Sequence, residues 1–306
     1  MGMNPVDSVI NPLRERAASG FRRIVSGDPT GVPEWVAQMR EGDDAGYFGP
    51  DSAPWAVHGA LPTLVGGVRA LLMQALHPAA LAGVMQHSRY EEDALGRLAG
   101  TTQWLTVVTF GDKAQADREC ARVRGLHRRV NGVYTVNGVE FPYDATDPDL
   151  LRWVHIAFTD SFLATHLVWG DEIPGGADAY VREWAKAGEL VGVENPPRSV
   201  AELRSQMAEY EPQLCTSVEA KETSAFIRKP PLPLAAQGPY AALLLGALST
   251  MAPHHLEMLG LPQVPKVIAR PAVKVMLGGL AFALGPTSPS QQAAMTRIDN
   301  NSVPRD

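Results

Sequence analysis

The chain has 306 residues, 45% hydrophobic and 20% charged, an ordinary globular balance with ample material for a large core. Its formal net charge of −6 gives no bulk attraction to nucleic acid, and no nucleic-acid partner is expected. Two cysteines, Cys120 and Cys215, stand far apart in no metal-type spacing, which excludes a disulfide scaffold and a zinc–thiolate cluster and fits a reducing compartment.

The first residues, "MGMNPVDSVINPLRERAASG", contain no basic stretch followed by an apolar run. No signal peptide is read there, and a cytoplasmic location is expected. The reading is one mainly α domain over residues 21–286, preceded by an N-terminal arm (1–20) and followed by a flexible tail (287–306).

The periodicity is helical along most of the chain. "LPTLVGGVRALLMQAL" (61–76) predicts a helix broken at His77, because Pro78 disfavours helical geometry in the residue before it. A second segment follows over 79–88. The next helix covers 93–110, with Asp93 as a candidate N-cap. Another runs from the "GD" at 111–112 to Gly132, read as a left-handed stop. "VNGVEFPYD" supplies the best strand candidates, with "NG" as a tight hairpin turn. Asp147 caps a helix over 147–169, with Pro148 at its first position and Gly170 at its end. A more amphipathic helix over 176–191 is expected to pack outside.

"FIRKPPLPL" reads as a Pro-rich surface crossing. The charge-free run that follows, "PPLPLAAQGPYAALLLGALSTMAPHHL", is interrupted by proline and glycine, and its apolar part is about half of the ~20 residues a membrane span needs. It predicts a buried helix and no transmembrane segment, with contact at a membrane surface as the second reading. His254 and His255, just after Pro253, read as a helix-start or surface pair.

The chemistry is sought on inward helix faces. Ala116, Cys120, Val123, His127 and Val130 are spaced 4, 3, 4, 3, one narrow stripe on a 3.6-residue helix. Arg118, Glu119, Arg122, Arg128 and Arg129 occupy the opposite side. A buried imidazole needs partners for its ring nitrogens, so His127 is either a hydrogen-bonded core histidine or a ligand. His155 repeats the pattern among Leu151, Val154, Phe158, Phe162 and Thr165. A third stripe holds Arg97, Thr101, Trp104 and Val108. An arginine there is a snorkelling side chain or a fixed cation for a carboxylate, a haem propionate or oxygen. Gly100 beside it costs about 1 kcal/mol against alanine in a helix interior.

Other chemistries lack their residues. "VGGVRAL" has no P-loop lysine and serine, and "LGGLAFALG" lacks the strand–turn–helix setting. No Gly-x-Ser-x-Gly elbow is present. No Glu-x-x-His pair supports a di-iron bundle. The histidine-rich, carboxylate-poor inventory favours haem over a bare metal.

The run "LLMQALHPAALAGVMQHSRYEEDALGRLAGTTQWLTVVTFG", continued by "VRGLHRRVNGVY" and "YDATDPDLLRWVHIAFTDSFL", resembles the catalytic-domain family of rubber oxygenase. That family also holds the membrane-bound oxygenase of the mycophenolic acid pathway. The resemblance extends through "ADAYVREWAKAGELVGV" and "YEPQLCTSVEAKE", covering roughly residues 45–225. It implies a globin-like helical core around a b-type haem, with His127 as the proximal iron ligand. Arg97 and Thr101 match the Arg and Thr that stand above the haem. Gly100 occupies the position of the distal lysine of the rubber-cleaving members, so that ligand is missing here. The acidic base of the family has no assigned counterpart, with Glu91 and Glu92 nearby. Trp104 falls beside the haem, His155 either packs near its edge or supports the residues that do, and Arg124 and Arg128 either face its propionates or are solvated.

The implied activity is a haem b-dependent oxygenase that takes dioxygen and an apolar small molecule, such as an isoprenoid or lipid-like alkene. Rubber oxygenases are typically secreted, so polyisoprene is not the expected substrate. Two alternatives stay open: a haem- or ligand-binding sensor or carrier without turnover, and a helical protein whose inward histidines only hydrogen-bond within the core.

Overall fold

The computed structural model describes residues 19, 20, 22, 28, 30–87 and 94–302, with the side chains of 94–99 excepted. Among them are fourteen α-helices and one two-stranded sheet, so the protein is mainly α.

The short α1 (Glu34–Ala37) leads through a 3-10 turn (Gln38–Arg40) to α2 (Ala53–Gly59). Then come α3 (Thr63–Ala75) and α4 (Pro78–His87), broken at His77 where Pro78 requires it. α5 (Ala94–Phe110) and α6 (Lys113–His127) are joined by two residues. Asp112 accepts from Gln115 N at 2.6 Å, and Gln115 Oε1 accepts from Asp112 N at 3.2 Å, a reciprocal capping box that starts α6.

The hairpin β1 (Asn131–Val136) and β2 (Val139–Asp144) follows. Asn137 and Gly138 both have positive φ, 52° and 78°, the backbone that a two-residue hairpin turn requires. Gly132 therefore does not stop a helix. α6 ends at His127, and Gly132 pairs with Tyr143 inside β1. Its glycine serves close approach, since a Cβ there would lie 2.6 Å from Gln86 Oε1.

α7 (Pro148–Trp169) begins at the Asp147 cap and stops before Gly170, as the sequence predicts. α8 (Gly176–Val191) and α9 (Val200–Tyr210) follow, then a 3-10 turn (Glu211–Gln213) and α10 (Val218–Arg228). α8 is amphipathic, yet it covers the core: Tyr180, Val181, Trp184 and Ala187 are all buried.

The Pro-rich crossing joins α10 to α11 (Leu234–Thr250), which precedes α12 (Pro253–Met258), α13 (Lys266–Leu284) and α14 (Pro289–Ser302). Only the C-terminal half of α11 is buried, from Leu244 to Ser249. Among the described residues, the helix long and apolar enough to cross a membrane is instead α13, with a mean hydropathy of 1.6 and little of its surface covered. Lys266, Arg270 and Lys274 break its sequence into pieces too short to stand out as a charge-free run.

The core centres on α3 against α7. Gly66 lets the two approach, because a Cβ on it would sit 2.6 Å from the Phe162 ring and 2.9 Å from Thr165 Oγ1. Beside this contact Arg69 Nη2 pairs with Asp160 at 2.7 Å and Nη1 donates to Ser161 Oγ at 2.8 Å, which offsets much of the cost of a buried cation, while Nε has no partner among the described residues.

The expected flexible tail is instead largely helix. α14 buries Arg297, whose guanidinium donates to the carbonyls of Asp44 (2.9 Å), Met39 (2.7 Å) and Phe110 (2.8 Å). Polar composition made residues 289–302 look unstructured. One arginine, satisfied by backbone carbonyls distant in sequence, docks them.

Candidate functional site

α5 and α6 run antiparallel from a two-residue turn, so residues equally far from it lie level. Gln103 Nε2 donates to Glu119 Oε2 at 3.4 Å, which fixes the register. Continued along the pair, it sets Arg97 level with Gly125 and Gly100 level with Arg122, so His127 lies about 3 Å beyond the level of Arg97 at ~1.5 Å per residue. Arg97 and His127 lie 14 and 15 residues from Gly111 and Asp112. The Arg97 side chain, Asp93, Glu91 and Glu92 lie outside the described residues.

The α6 stripe faces inward as its spacing predicts: Ala116 and Cys120 are fully buried, and Val123, His127 and Val130 half-buried. Burial pushes the Cys120 thiol up to about 11. Glu119, expected on the solvent side, is buried as well. Arg122 Nε lies 3.0 Å away and Gln103 shares its carboxylate, so the charge is paired at the α5–α6 seam.

His127 closes α6. Its Nδ1 is buried and meets no hydrogen-bond partner among the described residues. Desolvation pulls its pKa below the usual value, so the ring is neutral near pH 7. Thr101 and Trp104 are half-buried on α5, and the Trp104 ring meets Trp184 of α8 edge-on at 6.0 Å. Among the described residues nothing lies within 4 Å of where a Gly100 Cβ would be, so that face of α5 is open.

His155 is buried on α7, and its Nε2 has no partner among the described residues. Burial lowers its pKa to about 4. Its ring lies against Gly188 of α8, where an added Cβ would be 2.9 Å from Cε1. Two residues along α8, the carbonyl of Leu190 accepts a hydrogen bond from Arg124 Nη1. The C-terminal turn of α8 thus touches both His155 and the arginine one turn before His127. Arg128 is exposed.

Two buried histidines escaped the sequence reading: His166, whose Nε2 donates to the Asp171 carbonyl at 3.0 Å in the last turn of α7, and His58. His58, at the end of α2, is buried and shares a hydrogen bond with the Tyr180 hydroxyl at 3.2 Å. Its ring lies 4.2 Å from that of Trp184, so Trp104, Trp184 and His58 form one aromatic wall behind α5. Burial, with His166 as a lesser cause, lowers its pKa to about 3. The only sequence signal was a histidine within the apolar "PWAVHGA". His77 and His87 tie off helix ends: His77 Nε2 donates to Gln213 Oε1 at 3.3 Å, and His87 Nε2 to the Asn131 carbonyl at 2.9 Å.

This arrangement joins a neutral histidine, whose Nδ1 is buried and unpartnered among the described residues, to a neighbouring helix that carries a hydroxyl and an open glycine face. It can hold a ligand-binding imidazole and orient a small oxidant beside apolar walls. No curated protein and no solved structure matches the chain. The family described as "ER-bound oxygenase mpaB/B'/Rubber oxygenase, catalytic domain" matches residues 55–282, which run from α2 into the last turn of α13 and take in every candidate residue above. The chain belongs to this family of oxygenase catalytic domains.

Proposed function

We propose that the protein is a haem b-dependent oxygenase that adds dioxygen to an apolar small molecule, an isoprenoid or lipid-like alkene, by oxygenation or oxidative cleavage. The observation that carries this reading is the buried Nδ1 of His127, without a partner among the described residues, at the end of the helix paired with the α5 that carries Arg97 and Thr101.

The residues fit a haem. A neutral imidazole is the form that ligates iron, and His127 is held neutral by desolvation. The open face at Gly100 leaves space that a lysine would otherwise fill. His127 would be the iron ligand, with Gly100, Trp104 and His155 around the ring. Bound there, haem would supply the one-electron and dioxygen chemistry that no side chain in the chain provides.

The chain's own residues do the rest. Arg97 and Thr101 donate hydrogen bonds that orient the oxidant and stabilise charge as it develops. Trp104 and the wall of Trp184 and His58 behind it exclude water and offer an alkene an apolar surface. Exposed Val267, Ile268, Val275 and Phe282 on α13 give the protein an apolar face for peripheral contact with a membrane, where such substrates dissolve.

The test is spectroscopic first. Protein produced with haem supply should show a Soret band and about one haem per chain by pyridine haemochromogen assay. His127→Ala should lose it, while His155→Ala should retain it. A colourless protein that cannot be reconstituted would end the haem reading, and full haem occupancy in His127→Ala would end the ligand assignment. Oxygen uptake with unsaturated lipids and isoprenoids then separates an oxygenase from a carrier.

A further inference from the structure

Glu211, His254 and His255 lie apart from the α5–α6 site, and neither the family match nor the haem reading uses them. Glu211 begins the 3-10 turn after α9, and the two histidines form the first turn of α12. The structure brings these segments together: His255 Nε2 is 2.9 Å from Glu211 Oε1, and His254 Nε2 is 3.2 Å from Glu211 Oε2. The ligand atoms all lie within 4.8 Å of one another, and the two imidazole rings are 4.0 Å apart between centroids.

We propose that Glu211, His254 and His255 form a binding site for a divalent first-row transition metal, with Zn2+ as the ion best suited.

The donor chemistry is right for it. Two imidazole nitrogens and one carboxylate are the ligands that zinc and its neighbours select, and hard Mg2+ or Ca2+ would call for oxygen alone. The spacing is right as well. Ligands at about 2.0–2.1 Å from a tetrahedral ion are about 3.3 Å apart; the two nitrogen–carboxylate separations, 2.9 and 3.2 Å, are already near that value, and all the ligand atoms lie within 4.8 Å of one another.

The burial is graded. His255 is 5% exposed, Glu211 37% and His254 53%. One ligand is therefore fixed in the protein, while the ion would keep an open side to water. His255 Nδ1 is buried without a partner among the described residues, so Nε2 is the atom through which this ring interacts. Its desolvation favours the neutral, ligating form. Arg69, whose charge reaches His255, is itself offset by Asp160 at 2.7 Å.

The position also has a structural meaning. Gln213, two residues after Glu211, accepts from His77, and Cys215 N donates to the Leu76 carbonyl at 3.1 Å. An ion on Glu211 would brace the α9–α10 connection between α12 and the α3–α4 break.

The experiment uses tag-free full-length protein, freed of metal by chelator and titrated calorimetrically with Zn2+. One Zn2+ per chain should bind with micromolar or tighter affinity and raise the thermal midpoint. His254→Ala, at a half-exposed position that should leave folding intact, and Glu211→Gln should each weaken binding at least tenfold and abolish the thermal shift. His127→Ala should leave the titration unchanged, which separates this site from the haem reading. Absence of Zn2+ binding in the wild-type protein overturns the proposal, as does wild-type affinity in either Glu211→Gln or His254→Ala.

Discussion

Alanine substituted for glycine should act with opposite sign at two helix-interior positions of this protein. Either change removes backbone entropy from the unfolded chain and by itself favours the helix by about 1 kcal/mol. At Gly100 nothing among the described residues lies within 4 Å of the new methyl, so Gly100→Ala should stabilise by about 0.5–1 kcal/mol. At Gly188 the methyl would meet the His155 ring, 2.9 Å from Cε1 and 3.0 Å from both nitrogens. His155 is buried and its ring is not the far end of a flexible chain, so relief requires α7 and α8 to separate. Overpacking of this kind costs about 1–3 kcal/mol, which leaves Gly188→Ala destabilised by up to about 2 kcal/mol. Urea denaturation followed by far-UV circular dichroism measures both. The double variant Gly188→Ala, His155→Ala completes a cycle in which the second change absorbs the penalty of the first. If Gly188→Ala were as stabilising as Gly100→Ala, or if the cycle showed no coupling, the close seating of His155 on α8 would be wrong.

Arg297→Ala should cost about 3 kcal/mol or more, because it strips charged hydrogen bonds from the carbonyls of Met39, Asp44 and Phe110; urea midpoints should fall accordingly. His155 titrates near 4 in the folded chain, below the unfolded value, so its contribution is complete at neutral pH and is lost as pH falls from about 6.5 toward 4. From about pH 7 to pH 5 that one group should remove roughly 2 kcal/mol of stability, and a His155→Gln variant should show a shallower pH dependence in the same urea assay. Asp112→Ala should cost about 1–2 kcal/mol by opening the capping box at the start of α6, read as a lowered thermal midpoint.

The helices were legible wherever local chemistry marks an end. Asp147–Pro148 and Gly170 bound α7, His77–Pro78 divides α3 from α4, and Asn137–Gly138 makes the hairpin turn. Where an end depends on distant partners, local signals misled: Gly132 serves Gln86 and Tyr143 rather than a helix terminus, and α14 is docked through Arg297 to segments far away in the chain. The inward stripe of α6 was readable because 3.6-residue periodicity is a property of the sequence alone. The pairing of His254 and His255 with Glu211 was not, since it joins residues 43 and 44 positions apart through a turn that no periodicity encodes. His58 was hidden for a similar reason: its partners, Tyr180 and Trp184, lie on α8.

The two-residue turn between α5 and α6 acts as a fulcrum. The candidate site lies at the far end of both helices, about 21 Å from it at ~1.5 Å per residue. A change of about 5° in the angle between the helices would move that end by roughly 2 Å, enough to open or close a gap between Arg97 and His127. The fulcrum is gripped from several sides: Arg297 holds the Phe110 carbonyl, Gln115 Nε2 donates to the Gln38 carbonyl at 2.7 Å, and Lys113 N donates to Asp44 Oδ1 at 3.1 Å. The C-terminal helix thereby helps to hold the pivot, and damage to its docking would be felt as play at the opposite end of the lever.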